Sequence, residues 1–137
     1  MANVLYNNVV NFLLTGVYDL TAETLKLALL DEDYIPNANH DFTTIMLNEI
    51  SGLGYTAGGQ ELQNVYIIGN DFKADHVHWT AATFECRWAF LYISPDVPVA
   101  IYDLGGLRTV EVDIFRVLWD NNMNPDGVVI KLTARTI

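Results

Sequence analysis

Positive charge is scarce in this chain: seven lysines and arginines face 17 aspartates and glutamates, for a formal net charge of -10. A surface of that sign repels a phosphate backbone over most of its area, so nucleic acid is not the expected partner. Cysteine is scarcer still. Cys86 has no second thiol with which to close an internal disulfide, so the fold cannot depend on oxidation. No apolar run approaches the ~18 residues of a membrane span, and Met1-Ala2-Asn3 lacks the basic and apolar regions of a signal peptide. The expectation is a protein made and folded in a cytosol, with no membrane to bind. Linker composition and internal repeats are also missing, which makes residues 1–137 one expected domain. Its 51% hydrophobic content excludes a disordered chain.

What the sequence does have is β patterning, centred on Thr80 to Gly106. Ala82, Phe84, Cys86, Trp88, Phe90 and Tyr92 recur at every second position, which predicts a strand that sends all six to one face. On the other face Thr83, Glu85 and Arg87 are wettable, whereas Ala89, Leu91 and Ile93 are not. The strand should enter at an exposed rim and finish covered on both faces. Ser94-Pro95-Asp96 supplies turn chemistry, and a return strand runs from Val97 to Leu104, stopping at Gly105-Gly106. So apolar a hairpin needs a second layer over it.

Elsewhere the chain opens with a predicted helix over residues 1–16. Asn3 is its cap, Val4, Leu5, Val9, Phe12 and Leu13 are its stripe, and Thr15-Gly16 its end. Leu25, Leu27 and Leu29 alternate with Thr24, Lys26 and Ala28 as a half-buried strand. Asp31 to Asp41 reads as a polar loop, followed by a short helix over Ile45 to Ile50 capped by Asp41 or Thr43. Strands are predicted over Leu62 to Ile68, around His76 to Thr80, from Val110 to Trp119 and over Val128, Ile130 and Leu132. Gly69-Asn70-Asp71 and Asp120 to Gly127 serve as turns. Seven or eight strands after one helix predict an all-β antiparallel sandwich or jelly roll. Its expected core includes Leu27, Leu29, Phe84, Trp88, Phe90, Tyr92, Ile101, Ile114 and Leu132.

Patterns that carry chemistry are incomplete. Ser51 to Gly59 is glycine-rich, but no lysine followed by serine or threonine is present to make a phosphate loop, and the segment reads as a conformationally demanding turn. His76 and His78, two apart on a strand, face the same way with alpha carbons roughly 7 Å apart. That spacing suits a metal and is similar to the first motif of the cupin enzymes. The glutamate of that motif is not at its place, since Glu85 lies seven positions after His78, and no later histidine completes a set. His40 is the only other imidazole. Asp71 and Asp75 beside the pair read as solvated acids. Cys86, on an apolar strand face without an electropositive neighbour, reads as a buried thiol. The carboxylates have no spacing that predicts a glycosidase pair. No catalytic, cofactor-binding or metal residue is assigned.

Several motifs together resemble a family of small tailed-bacteriophage virion structural proteins. They are Ala2-Asn3-Val4-Leu5-Tyr6-Asn7, Leu13-Leu14-x-Gly16-x-Tyr18-Asp19-Leu20, Glu23 to Leu29, and Gly54-Tyr55-Thr56-Ala57-Gly58-Gly59. Later parts of the chain add Val77-x-Trp79-Thr80, Ala89-x-Leu91-Tyr92, Ile101 to Gly106 and Trp119-Asp120. The resemblance spans nearly the whole chain and rests on turn and core residues. It implies a non-enzymatic role, foremost as a capsid decoration or cement protein on the outside of the head. The partners it implies are the major capsid protein and further copies of the chain, as a dimer or trimer. A tail or head-to-tail connector part is the alternative within the virion, and a cupin-like metal enzyme the alternative outside it. Val4, Tyr6, Val9, Phe12 and Leu14 exceed what one face of a short helix buries, so they either cap the sandwich or form an interface with Tyr18, Tyr34, Ile35 and Tyr55. Phe42 is a weaker candidate of the same kind.

Overall fold

The computed structural model describes residues 4–69, 71–119 and 129–131. In chain order its elements are β1 (Val4–Leu5), α1 (Asn7–Leu14), β2 (Leu25–Leu30), α2 (Phe42–Met46), β3 (Gln60–Glu61), β4 (Tyr66–Ile68), β5 (Asp71–Lys73), β6 (Val77–Ile93), β7 (Val97–Val117) and β8 (Ile130–Lys131). The protein is mostly β. Its strands form two antiparallel sheets, one of five in the order β1-β7-β6-β2-β3 and one of three in the order β4-β5-β8. Val128, Leu132, Asn70, Asn3 and the turn over 120–127 lie outside the described residues.

The central hairpin is where the patterning puts it, but it is longer than expected. The run around His76 to Thr80 is continuous with the next run in β6, and the segments predicted over Val97 to Leu104 and Val110 to Trp119 are one strand, β7. Both predicted breaks are irregularities within a single ladder. At the first, Ala81 takes φ +49 and the register moves between Trp79 and Ala82. At the second, Cys86 pairs with Arg108 and Trp88 with Asp103, so Arg87 alone lies opposite Leu104, Gly105, Gly106 and Leu107. A bulge of this kind bends the ribbon and adds twist. It also overturns the expectation of one apolar face: Ala82, Phe84 and Cys86 are buried with Ala89, Leu91 and Ile93, while Phe90 and Tyr92 are buried in a separate cluster. Arg87 braces the bulge, donating from Nε and Nη2 to the two carboxylate oxygens of Asp103, each at 3.2 Å. Its guanidinium sits 4.7 Å over the Trp88 ring.

Among the described residues, other named strands pair with the inner half of this ribbon, and the outer half gains a single bridge, between Leu53 and Thr83. β2 pairs with Trp88 to Ile93, and β1 with Ala100 and Ile101. β2 is therefore flanked on both edges by β6 and β3, and it is buried on both faces, not half-buried as its alternation suggests. Leu25, Leu27 and Leu29 face the larger cluster, with Leu91, Ile93, Val99 and Phe72; Ala28 and Leu30 face the smaller one, with Phe90, Ile101, Ile45 and Tyr6. Of the expected core, Leu27, Leu29, Phe84, Phe90, Tyr92 and Ile101 are buried. Trp88 is half-buried, and Leu132 is outside the described residues. Ile114 is 43% exposed. The inward places on this part of β7 go to Phe115, which packs on Trp79 and Phe84, and to Val117.

The first helix differs from expectation at its start and the second, Phe42–Met46 in place of Ile45 to Ile50, at both ends. α1 stops as predicted at Thr15, with Gly16 at φ +74, but it begins only at Asn7, because Val4 and Leu5 are drawn into the sheet beside Ala100 and Ile101. α2 has the predicted Asp41 cap, whose carboxylate accepts from the Thr44 N–H at 2.8 Å. It ends at Met46 and does not reach Ile50. There the backbone is diverted to the end of β2, with Asp31 N–H donating to Asn48 O and Ile50 N–H to Leu29 O. Of the strand predicted over Leu62 to Ile68, only Tyr66–Ile68 is extended, as β4; β3 lies just before the predicted range and belongs to the other sheet. Among the described residues no helix is long and apolar enough to cross a membrane.

Candidate functional site

The glycine-rich loop is built to lie against the sheet. A Cβ on Gly59 would stand 1.9 Å from the Leu27 carbonyl oxygen, and the residue takes φ +83, so glycine is required there twice over. Glu49 then ties the loop down. Its Oε2 accepts from the Tyr55 hydroxyl at 2.6 Å and from the Gly58 N–H at 2.7 Å. The Tyr55 oxygen accepts in turn from Leu29 N–H at 3.1 Å, and Tyr92 donates to the Gly58 carbonyl at 2.6 Å. Burial, then the bond to Glu49, pushes the Tyr55 hydroxyl well above its ordinary range. Amides that would cradle a phosphate are used within the protein, by a carboxylate for Gly58 and by the Thr56 carbonyl for Gly59. An anion brought here would meet Glu49, and the reading as a demanding turn is the one the geometry supports.

His76 and His78 are exposed and line a shallow, open cleft with Gln60, Glu61, Gln63 and Thr80. His76 holds two strand ends together. Its Nδ1 accepts from the Trp119 N–H at 3.1 Å, while the Trp119 indole donates to the Asp75 carbonyl at 2.9 Å. The Asp75 carboxylate accepts from Asn64 at 2.6 Å. These bonds pin the end of β7 against the start of β6. Among the described residues no three His, Cys, Asp or Glu side chains gather as metal ligands. Cys86 is buried, and burial pushes its thiol from 9.0 to about 12, so it is no nucleophile at neutral pH.

The residues singled out as interface candidates divide. Tyr6, Val9 and Tyr34 are corrected to the protein's own core, each exposed by 4% or less. The Tyr6 and Tyr34 hydroxyls bond at 2.8 Å, and Tyr34 reaches His40 Nδ1 at 3.0 Å, so the polar loop is stapled over the smaller cluster. Tyr55 is likewise committed inward. Phe12 and Tyr18 are half-buried and pack edge to face, 5.3 Å apart. Phe42 is half-buried against Phe90 and Tyr92. Leu14 and Ile35 are open to solvent, 82% and 78% exposed. Val4 takes part through its backbone, and its side chain lies outside the described residues.

Sequence reasoning passes over the most apolar exposed strand. Tyr66, Ile67 and Ile68, all of β4, are each at least half exposed, and among the described residues β4 pairs on one edge only, with β5. A signal is present: residues 62–70 hold no charge in a chain of -10, and three successive large apolar residues cannot alternate in and out. Among the described residues the outer half of β7 is also unpaired on one edge, with Leu107, Val112 and Ile114 exposed among Arg108, Glu111, Asp113 and Arg116. Comparison of the chain with known protein families, with curated proteins and with solved structures finds no match.

Proposed function

We propose that this chain is a non-enzymatic structural protein of a bacteriophage virion, a capsid decoration or cement protein that binds the outside of the head and stabilises contacts between major capsid subunits. The observation that carries the reading is apolar surface left open in separate places on a small acidic protein: β4, Leu14 at the end of α1 with Val17 just after it, and the outer half of β7. Exposed patches of that kind suit a protein that touches several neighbours at once. The fold is read as a sandwich whose two sheets are its layers; in support, Phe72 of the smaller sheet lies in the same buried cluster as Leu25, Leu27 and Leu29 of the larger. The motif resemblance adds the virion setting. The reading is tested by mixing the purified protein with undecorated phage heads. Co-sedimentation with the heads and a raised temperature of head disruption are expected. Heads that bind none of it, or that are equally resistant to heat with and without it, would refute the proposal.

A further inference from the structure

We propose that β4 is the self-contact of the protein, pairing antiparallel with β4 of a second copy across a two-fold axis at Ile67. The two three-stranded sheets would then join into one of six, β8-β5-β4-β4-β5-β8. The proposal specifies the self-contact of the homo-oligomer that the motif resemblance implies, and it rests on the capsid reading above only there.

An edge strand offers a row of backbone donors and acceptors, and natural edges are guarded by charge, proline or a covering element. The edge of β7 is guarded, with Arg108, Glu111, Asp113 and Arg116 along it. Among the described residues β4 has no such guard. It lies within the uncharged residues 62–70, and among the described residues no strand covers its second edge. Two copies of charge -10 repel each other at most approaches, and this neutral strand is a place where they can meet.

The strand is also self-complementary. A three-residue strand pairs along its full length in antiparallel sense only with Ile67 opposite Ile67, which sets Tyr66 against Ile68 of the other copy. Aromatic against β-branched is a favourable cross-strand pair. The next strand extends the match. On β5, Asp71 stands beside Ile68 and Lys73 beside Tyr66, so each row across the joined sheet runs from an aspartate on one copy to a lysine on the other. A parallel arrangement would put like charges at the ends of each row. At three strand spacings, about 14 Å, salt screens most of that difference, and the Tyr66–Ile68 pairing is the stronger preference. A strand of three residues falls short of the about 800 Å² per partner of a standard interface, so the dimer is expected to be weak and reversible, and to tighten when several copies sit on one surface.

Three measurements test this. Sedimentation equilibrium should show a concentration-dependent dimer for the natural chain, weakened about tenfold or more in Ile67→Lys, with an unchanged urea midpoint because the side chain is exposed. In Ile67→Cys the two α-carbons at position 67 would stand about 4.5–5.5 Å apart across the axis, inside the about 4.4–6.8 Å between α-carbons that a disulfide spans, so mild oxidation should give a covalent dimer. Ile35→Cys, equally exposed but in the polar loop, should not cross-link. A natural chain that stays monomeric at the highest concentration reached, Ile67→Lys that associates as before, or Ile35→Cys that cross-links as readily as Ile67→Cys, would overturn the proposal. Head binding by the natural chain is scored separately: heads bound without cross-linking at position 67 overturn only the β4 contact, and cross-linking without head binding overturns only the capsid role.

Discussion

At the scale of single residues, space and backbone conformation separate two glycines that look alike in the sequence. Gly16 and Gly59 both take positive φ, but a Cβ on Gly16 meets nothing within 4 Å, whereas on Gly59 it would collide with the Leu27 backbone. Gly16→Ala should therefore cost only the left-handed penalty of about 1–2 kcal/mol. Gly59→Ala should cost clearly more, because β2 or the loop must move. Urea midpoints of the two variants check this, and equal losses would show the loop not to be seated as described. Tyrosines give the matching lesson for reading a sequence. Tyr6 and Tyr34 look like surplus aromatics near the N-terminus and in a polar loop, yet their hydroxyls satisfy each other inside the core. That bond joins positions 28 apart, and no local pattern announces it.

Elements show how far period-two patterning reaches. It locates the central hairpin, its turn and the passage from an exposed rim to an end covered on both faces, because those depend on neighbours in the chain. It breaks the strands at Ala81 and at Gly105-Gly106, since residues that end a strand and residues that bulge one are the same types. The count of extra residues in a bulge decides which face the next side chain takes, so Ile114 reads as inward in the sequence and is outward in the fold. For β2, burial on both faces depends on layers supplied by α2, Tyr6 and the polar loop on one side and by Phe72 of β5 and Val9 of α1 on the other, and is not written in its own alternation. The glycine-rich loop is held as an element by Tyr55, which donates to Glu49 and accepts from Leu29. Tyr55→Phe removes both bonds and leaves a strand amide and a carboxylate poorly satisfied, an expected loss of about 1–3 kcal/mol. The urea slope should not change, and hydrogen exchange should quicken over residues 51–59 in particular. Protection equal to that of the natural chain would mean that Tyr55 does not hold the loop.

Across the whole molecule, buried hydroxyls and a thiol couple stability to alkali. Burial raises Tyr6 in the smaller cluster, and Tyr102 and Cys86 in the larger one, above their ordinary values, with the Tyr34 bond adding to the shift at Tyr6. For each group the folded state keeps its proton longer than the unfolded chain does. The stabilisation is thus complete below the unfolded value and is lost as pH rises toward the folded one. Stability should begin to fall above pH 9.0, the ordinary value for Cys86, at about 1.4 kcal/mol per pH unit for each group in play, and steepen once the tyrosines join above 10.0. In Cys86→Ala the first stage should be missing; a fall that starts at the same pH without the thiol would show the assignment wrong. The bulged hairpin has a mechanical side as well. A pull on its outer half, directed along the strands, reaches the body through β6, where the six residue pairs from Leu25–Ile93 to Leu30–Trp88 lie side by side and must give way together. A pull across the strands peels the same ladder one pair at a time. The molecule is thereby stiff in one direction and compliant in the direction at right angles to it, and a neighbour gripping the ribbon end-on would be held far more firmly than one tugging it sideways.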